Sequence, residues 1–394
     1  MAAATAYATV EETVTSRRDE LIELSHAIHS EPELAFVEHR SCAKTRALVA
    51  ERGFEITEAP AGLDTAFRAS FGSGSLVVGV CAEYDALPGI GHACGHNIIA
   101  ASAVGTALAL ADVADDLGLT VVLLGTPAEE AGGGKVLMLD AGVFDDITVT
   151  VMLHAGPLDI ARARSLALSQ VAVTYTGREA HAAVAPYLGL NAADAITVAQ
   201  VAIGLLRQQM EPGHMAHGIV TEGGQATNVI PGRARMEYTM RANDAASLRT
   251  LEARMADCFL AGAVATGCGH DVSETEPAYH ELTPDGWLAE TFRGEMIRMG
   301  RTPVGPDIEA LLPLGSTDMG NVTQLMPGIH PIVGIDAGGA SVHQPAFTDA
   351  AAGPSADRAV VEGSIMLART VVGLAETPSE RDRVLDLHAR RSAS

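Results

Sequence analysis

The sequence predicts an α/β domain with a mixed, mostly parallel sheet, interrupted by a smaller α+β domain of ferredoxin-like order. Three observations predict it. From Ala27 to Leu153 strand-like and helix-like segments alternate, which implies a parallel or mostly parallel sheet covered on both faces. Near Ser169 the order changes to β-α-β-β-α-β, the pattern of a small separate domain. After Tyr279 the first style resumes, so the second domain reads as an insertion, with segments 1–167 and 280–394 flanking 168–279. A length of 394 residues agrees with about two or three domains, and a hydrophobic content of 47% is ample for their cores.

In the first segment, Ala27 to Val49 reads as an amphipathic helical region broken around Pro32. Ser75 to Cys81 (SLVVGVC) and Thr120 to Leu124 (TVVLL) read as buried strands, and Ile147 to Leu153 (ITVTVML) as a third. Asn97 to Val113 is the helix between the first two, and Val136 to Ala141 starts another. In the insertion the elements are strand Leu168 to Thr176, helix Ala192 to Gln209, and strands His217 to Glu222 and Ala234 to Arg241. Helix Ala245 to Ala265 and a strand near Asp271 to Thr275 complete it. The last segment supplies helix Trp287 to Met299, strand Pro331 to Ile335 and helix Ala356 to Val372. Thr377 to Ser394, rich in Arg, Ser, Asp and Glu, is expected to fray or to be partly helical.

A formal net charge of −23 argues against nucleic acid or an anionic membrane as partner, since both select clustered Lys and Arg. Five unevenly spaced cysteines look like reduced thiols rather than a disulfide framework, which fits a cytoplasmic protein. The start MAAATAYATVEET has neither the basic residues nor the apolar run of a secretory signal. The longest apolar segment, Ile98 to Ala111, falls short of the roughly 20 residues that cross a bilayer.

The chemistry concentrates around GHACGHN, where Cys94 stands two residues before His96. In an open α/β sheet, ligands collect beyond the carboxyl ends of the strands. Glu83 and Asp85 follow the first buried strand, Glu129 and Glu130 the second, and His154 the third. A thiolate, imidazoles and carboxylates converging in glycine-flanked turns point to a transition metal and metal-assisted hydrolysis. Asp85 suits a supporting role, hydrogen-bonded to a ligand. Two adjacent glutamates suit a division of labour, one binding metal while the other takes a proton from the attacking water and returns it to the leaving amine. Spacing does not say which does which. A nucleophilic Cys94 with a nearby His is the competing reading, whereas no G-x-S-x-G elbow or P-loop occurs.

The strings EYDALPGIGHACGHN (from Glu83), GTPAEEAGGG (from Gly125), TGREAHAA (from Thr176), TNVIP (from Thr227) and GSTDMGN (from Gly315) resemble the M20 metallopeptidase and amidohydrolase family. The resemblance runs from about His26 to about Thr370, and is closest to the branch of the p-aminobenzoyl-glutamate hydrolase B subunits and the M20 domain-containing protein 2 dipeptidases. It implies a zinc-peptidase-like catalytic domain holding two divalent ions, zinc or manganese. Cys94 matches the bridging ligand, with His96, Glu130, His154 and His343 as the others. Glu129 matches the general base and Asp85 the residue that orients a ligand. The inserted domain then becomes a dimerisation or lid domain. Its His181 would reach a partner's active site, and Asn228 and Arg241 would hold the carbonyl region or the carboxylate of a small-molecule substrate. A guanidinium fork suits the latter task. Glu83 and Asn97 stand where many relatives carry Asp, and His343-Gln344-Pro345 where many carry His-His-Pro or His-Ser-Pro. The implied activity is hydrolysis of an amide bond in a dipeptide, a p-aminobenzoyl-glutamate-like compound or an N-acyl amino acid with a free carboxylate. The alternative is a homologous subunit active only beside a related partner chain.

Overall fold

The computed structural model describes residues 3–312 and 315–393. They form two compact units, Met1–Arg164 with Leu282–Ser394, and Ser165–Glu281. Along the first part of the chain run helices α1 (Ala3–Ser16), α2 (Arg18–His29) and α3 (His39–Glu51), then strands β1 (Glu55–Glu58), β2 (Phe67–Gly72) and β3 (Leu76–Ala82). Helices α4 (His96–Ala111) and α5 (Ala114–Leu117) lead to β4 (Leu119–Gly125), α6 (Gly134–Asp140), β5 (Val149–Val151) and β6 (His154–Gly156).

The second unit contains β7 (Ala167–Thr176), β8 (Ala180–His181), α7 (Ala192–Leu206), β9 (Met215–Glu222), β10 (Val229–Ile230), β11 (Arg233–Ala242), α8 (Ala245–Thr266) and β12 (Gly269–Tyr279). Its four-stranded antiparallel sheet has the order β12-β7-β11-β9, which places the first and third strands in the middle as in ferredoxin-like domains. β8 and β10 form a separate two-stranded ribbon. Helix α7 is capped by Asn191 and α8 by Asp244, whose side chains accept first-turn N–H groups. The core lies between these helices and the sheet, around Tyr175, Met236, Met255 and Phe259.

The chain then returns to the first unit with α9 (Gly286–Arg298), α10 (Pro306–Glu309), α11 (Met319–Leu325), β13 (Gly328–Ile329), β14 (Ile332–Gly334), α12 (Pro345–Ala350), α13 (Pro354–Glu376) and α14 (Pro378–Ser392). The six-stranded sheet has the order β1-β2-β4-β3-β5-β13. It is parallel from β4 through β13, with β1 and β2 added antiparallel at one edge. Helix α4 is apolar on every side and all of its residues are buried, as expected of a helix enclosed by others. It packs on α13, α2 and β3.

Three expectations need correction. The helical region expected over Ala27 to Val49 is broken around Pro32 as expected, into α2 and α3 either side of an irregular stretch 30–38, but α2 begins upstream at Arg18. The strand predicted over Ile147 to Leu153 pairs only from Val149 to Val151. Beyond it the N–H of Met152 turns to Ile329 and that of His154 to Pro331, so His154 opens β6 in a second small sheet with β14. The tail from Thr377 is helical through Ser392 rather than frayed. Arg381 donates to the Leu117 carbonyl at 2.6 Å and Arg391 to that of Ile147 at 2.5 Å, while Val384 is buried. These charged residues anchor a helix whose composition suggested solvent.

Candidate metal centre

The register of β3 with β4 and β5 brings the carboxyl ends of three parallel strands to one edge of the sheet. Just beyond that edge lie Glu83 and Asp85, Glu129 and Glu130, and His154. The turn before α4 adds Cys94 and His96. Gly95, at φ +74°, makes this turn with a left-handed backbone, and a Cβ there would sit 2.7 Å from that of Ala155. The turn leaves His96 as the first residue of α4. His343 arrives from the loop before α12 in a left-handed conformation (φ +66°), its N–H bonded to the Ala93 carbonyl at 3.0 Å. Such a conformation is costly for a non-glycine residue and persists where its surroundings enforce it.

Two groups of donor atoms result, and Cys94 belongs to both. Cys94, His96 and His154 form one, Cys94, Glu130 and His343 the other, with the donor atoms of each group within 4.8 Å of one another. A third group of the same compactness joins Glu83, His96 and Glu129. The side chain of His343 is the most exposed of the set, while His96 is buried.

Asp85 organises these donors. Its Oδ1 faces His96 Nδ1 at 3.0 Å, its carbonyl lies 2.9 Å from the same nitrogen, and its Oδ2 accepts the Glu130 N–H at 2.9 Å. With two acceptors on Nδ1, the proton sits there and Nε2 faces the donor cluster. Likewise His154 Nδ1 donates to the Ala155 carbonyl at 2.6 Å, which frees its Nε2. Burial would push the Asp85 carboxyl up, but His96 and the Glu130 amide hold it below the usual range. Burial opposes the charge of His96, yet Asp85, Glu83 and Glu130 together keep it well above ordinary imidazole. His154, buried and beside His96, falls to about 4. Burial lifts the Cys94 thiol, and Glu130 lifts it further. Glu129 is raised well above a normal carboxyl by burial first, then by Glu83 and Glu130.

These residues fit metal ions. Among the described residues His96 Nε2, Glu130 Oε1 and Glu83 Oε2 are buried with no hydrogen-bond partner, a costly state that a cation relieves. Sulfur, imidazole and carboxylate donors together suit a borderline-soft divalent ion.

The remaining predicted residues belong to the second unit. His181 and Asn228 come together on the β8–β10 ribbon, where His181 pairs with Val229 and the Ala182 N–H donates to the Asn228 carbonyl at 2.9 Å. His181 Nδ1 accepts the Ala183 N–H at 3.2 Å, so its Nε2 carries the proton outward. Arg241 lies in the four-stranded sheet, in register with Leu168 and Met215. The structure does not gather these three into one cluster with one another.

Several residues around the centre carried no signal of a role in the chain itself. Lys135, wholly buried at the start of α6, forms ion pairs with Glu83 and with Asp318, the latter at 2.7 Å. Gly134 lets this helix begin close to the preceding turn, where a Cβ would collide with the Pro127 carbonyl. Glu38, also buried, accepts the N–H of Ala128, which has φ +61° and precedes Glu129. His330 lies with its ring 5.5 Å from that of His154. Of these, Asp318 within GSTDMGN and Gly134 at the end of GTPAEEAGGG stood in strings already marked by resemblance.

Residues 167–266 match the family model of the peptidase dimerisation domain, M20_dimer. Over 390 residues the chain is 37% identical to the Xaa-Arg dipeptidase of Mus musculus, covering 93% of this chain and 88% of that protein. This chain belongs to the M20 family. As an M20 member it is a metal-dependent hydrolase of amide bonds, with the dimerisation domain inserted into its catalytic domain. The p-aminobenzoyl-glutamate hydrolase B subunit of Escherichia coli (strain K12) is 30% identical over 271 residues, covering 64% of this M20 chain and 56% of that protein. Among solved structures, the YXEP protein of Bacillus subtilis, described as a dinuclear metal-binding peptidase of the M20 family, shares the fold. It has a TM-score of 0.69 at 23% identity, covering 92% of this chain and 99% of that one. The aminobenzoyl-glutamate utilization protein of Klebsiella pneumoniae gives 0.73 at 18% identity, covering 93% and 98%. Among the described residues no helix is long and apolar enough to cross a membrane.

Proposed function

We propose that this M20 hydrolase cleaves the amide bond of a dipeptide, a p-aminobenzoyl-glutamate-like compound or an N-acyl amino acid bearing a free carboxylate, at a centre of two divalent ions, zinc or manganese. The observation that carries the reading is the sharing of Cys94 between two compact donor groups, Cys94/His96/His154 and Cys94/Glu130/His343. One bridging thiolate and two terminal sets suit two ions. Bound there, the ions would polarise the scissile carbonyl and lower the pKa of the attacking water.

The chain's own residues do the rest. Glu129, with a carboxyl made more basic by burial and by Glu83, takes the proton from the attacking water and passes it to the leaving amine. Asp85 keeps His96 in one tautomer and holds the Glu130 backbone. His181, from a second copy of the chain, donates its Nε2 proton to the developing oxyanion, and Asn228 and Arg241 hold the substrate. The dimerisation domain supports a homodimer, and free buried cysteines support a cytoplasmic location. The name of the mouse and human relatives favours a dipeptide ending in arginine as the first substrate to try.

The test is elemental analysis of the purified chain together with hydrolysis of a dipeptide and N-acyl amino acid panel, before and after chelation. Two ions per chain with chelator-sensitive, metal-restored cleavage support the reading. A metal-free chain that still cleaves transfers the chemistry to Cys94 as nucleophile. A metal-loaded but inert chain favours the reading as one member of a hetero-oligomer, which native mass beside a related partner would then decide.

A further inference from the structure

We propose that Glu83 is a metal-facing residue, presented to the ion on the His96 side by a buried Lys135–Asp318 clamp. This rests on reading the centre as a metal site and goes beyond the five donors already assigned to it.

Glu83, Lys135 and Asp318 come from three distant parts of the chain, after β3, at the start of α6 and just before α11, and all three side chains are wholly buried. Lys135 Nζ donates to Glu83 Oε1 and, at 2.7 Å, to Asp318 Oδ1. Asp318 Oδ2 also accepts the Lys135 backbone N–H at 2.9 Å, which fixes the lysine at both ends. One oxygen of Glu83 is therefore committed to Lys135. The other, Oε2, has no hydrogen-bond partner among the described residues and lies 3.5 Å from His96 Nε2, which also has none there. The two atoms border the same space, together with Glu129.

Charge gives the same answer. Two buried carboxylates share one lysine, so the clamp carries a net negative charge, and its outward oxygen faces the His96 ring at 3.5 Å, without a hydrogen bond. A buried carboxylate oxygen left without a hydrogen bond is expensive, and a protein keeps one where a cation offsets it. Lys135 alone satisfies neither the charge nor the geometry, because its Nζ lies on the far oxygen. A purely structural Glu83 would have both oxygens bonded, as Asp318 does.

The decisive variant is Glu83→Gln, which keeps the shape and an acceptor for Lys135 but removes the charge. Zinc and manganese are titrated separately into chelator-stripped wild-type and variant protein, with bound metal read by elemental analysis and folding by circular dichroism. Changing a residue that supports a metal typically costs about 10- to 100-fold in affinity. The expected result is a loss of that order for one of the two ions, larger for manganese than for zinc because the removed donor is a hard oxygen. Asp318→Asn removes a charge from the same clamp farther from His96, and is expected to change metal affinity much less. If Glu83→Gln does not fold, Glu83→Asp retains the charge but withdraws the outward oxygen, and should show the same selective weakening. Equal metal binding by wild type and the folded Glu83 variant overturns the inference, as does an Asp318→Asn effect equal to that of Glu83→Gln. A wild-type chain that binds no metal overturns the reading of the whole site instead.

Discussion

Asp85 and Glu130 are joined by a hydrogen bond of 2.9 Å from the Glu130 N–H to Asp85 Oδ2, while the other Asp85 oxygen faces His96 Nδ1 at 3.0 Å. One carboxylate thus sets both a donor from the α4 turn and a donor from the loop after β4. Replacing it by alanine should loosen both at once. Asp85→Ala is expected to weaken metal binding about 10- to 100-fold, measured by titration of the stripped protein, with secondary structure retained. Unchanged affinity would show that the ligands hold their positions without it.

The sharing of Cys94 makes a second prediction. Cys94→Ser should reduce occupancy of both ions, whereas His154→Ala should reduce one, because His154 belongs to a single donor group. Metal per chain at a fixed free zinc concentration separates the cases. Equal single-ion losses for both variants would show that Cys94 does not bridge.

Glu129→Gln removes the base and keeps the volume. General acid–base groups are worth about 10²- to 10⁴-fold, so kcat should fall by that order or more with metal content intact. Loss of metal instead would mean that the roles of Glu129 and Glu130 are reversed.

Lys135→Met leaves Glu83 and Asp318 buried without their cation. Removing one partner of a buried ion pair costs about 3–5 kcal/mol, which should appear as a markedly lower Tm in calorimetry of the stripped protein. A Tm equal to that of wild type would show the clamp to be dispensable.

Glu38 supplies a pH dependence. Burial first, then the neighbouring Asp85, raises its carboxyl to about 7 from an ordinary 4.5. In this range the folded chain holds a proton that the unfolded chain has lost. The stabilisation is full below about 4.5, declines as pH rises towards about 7 and is then gone. Glu38→Gln, which still accepts the Ala128 N–H, should therefore gain stability relative to wild type across that window and level off above it. Denaturant midpoints taken at several pH values test this, and a pH-independent difference would exclude the account.

Much of the centre was legible along the chain because its residues come directly after buried strands. Runs such as SLVVGVC and TVVLL identify themselves by composition, and parallel strands must end on one edge, so the residues just beyond their carboxyl ends converge. The β-α-β-β-α-β order was equally readable, since the succession of strand-like and helix-like segments after Ser169 is a local feature of the chain. The edge strand β1 was not, because EITE is short and polar and is held by pairing rather than by burial. Nor was the helical tail, whose arginines bond carbonyls more than 200 residues away.

By itself, then, the sequence determined the α/β class, the inserted domain and the M20 resemblance, which rest on local pattern and ordered motifs, and it pointed to candidate donors from Cys94 to His154, with His343 added by the resemblance. Only the tertiary structure decided that Cys94 is common to two donor groups, that Asp85 binds two of the donors' segments, and that Lys135 lies between Glu83 and Asp318. The physical reason is distance. A buried charge is stable only beside its partner, and 183 residues separate Lys135 from Asp318. No spacing rule along the chain reports a pairing that folding alone creates.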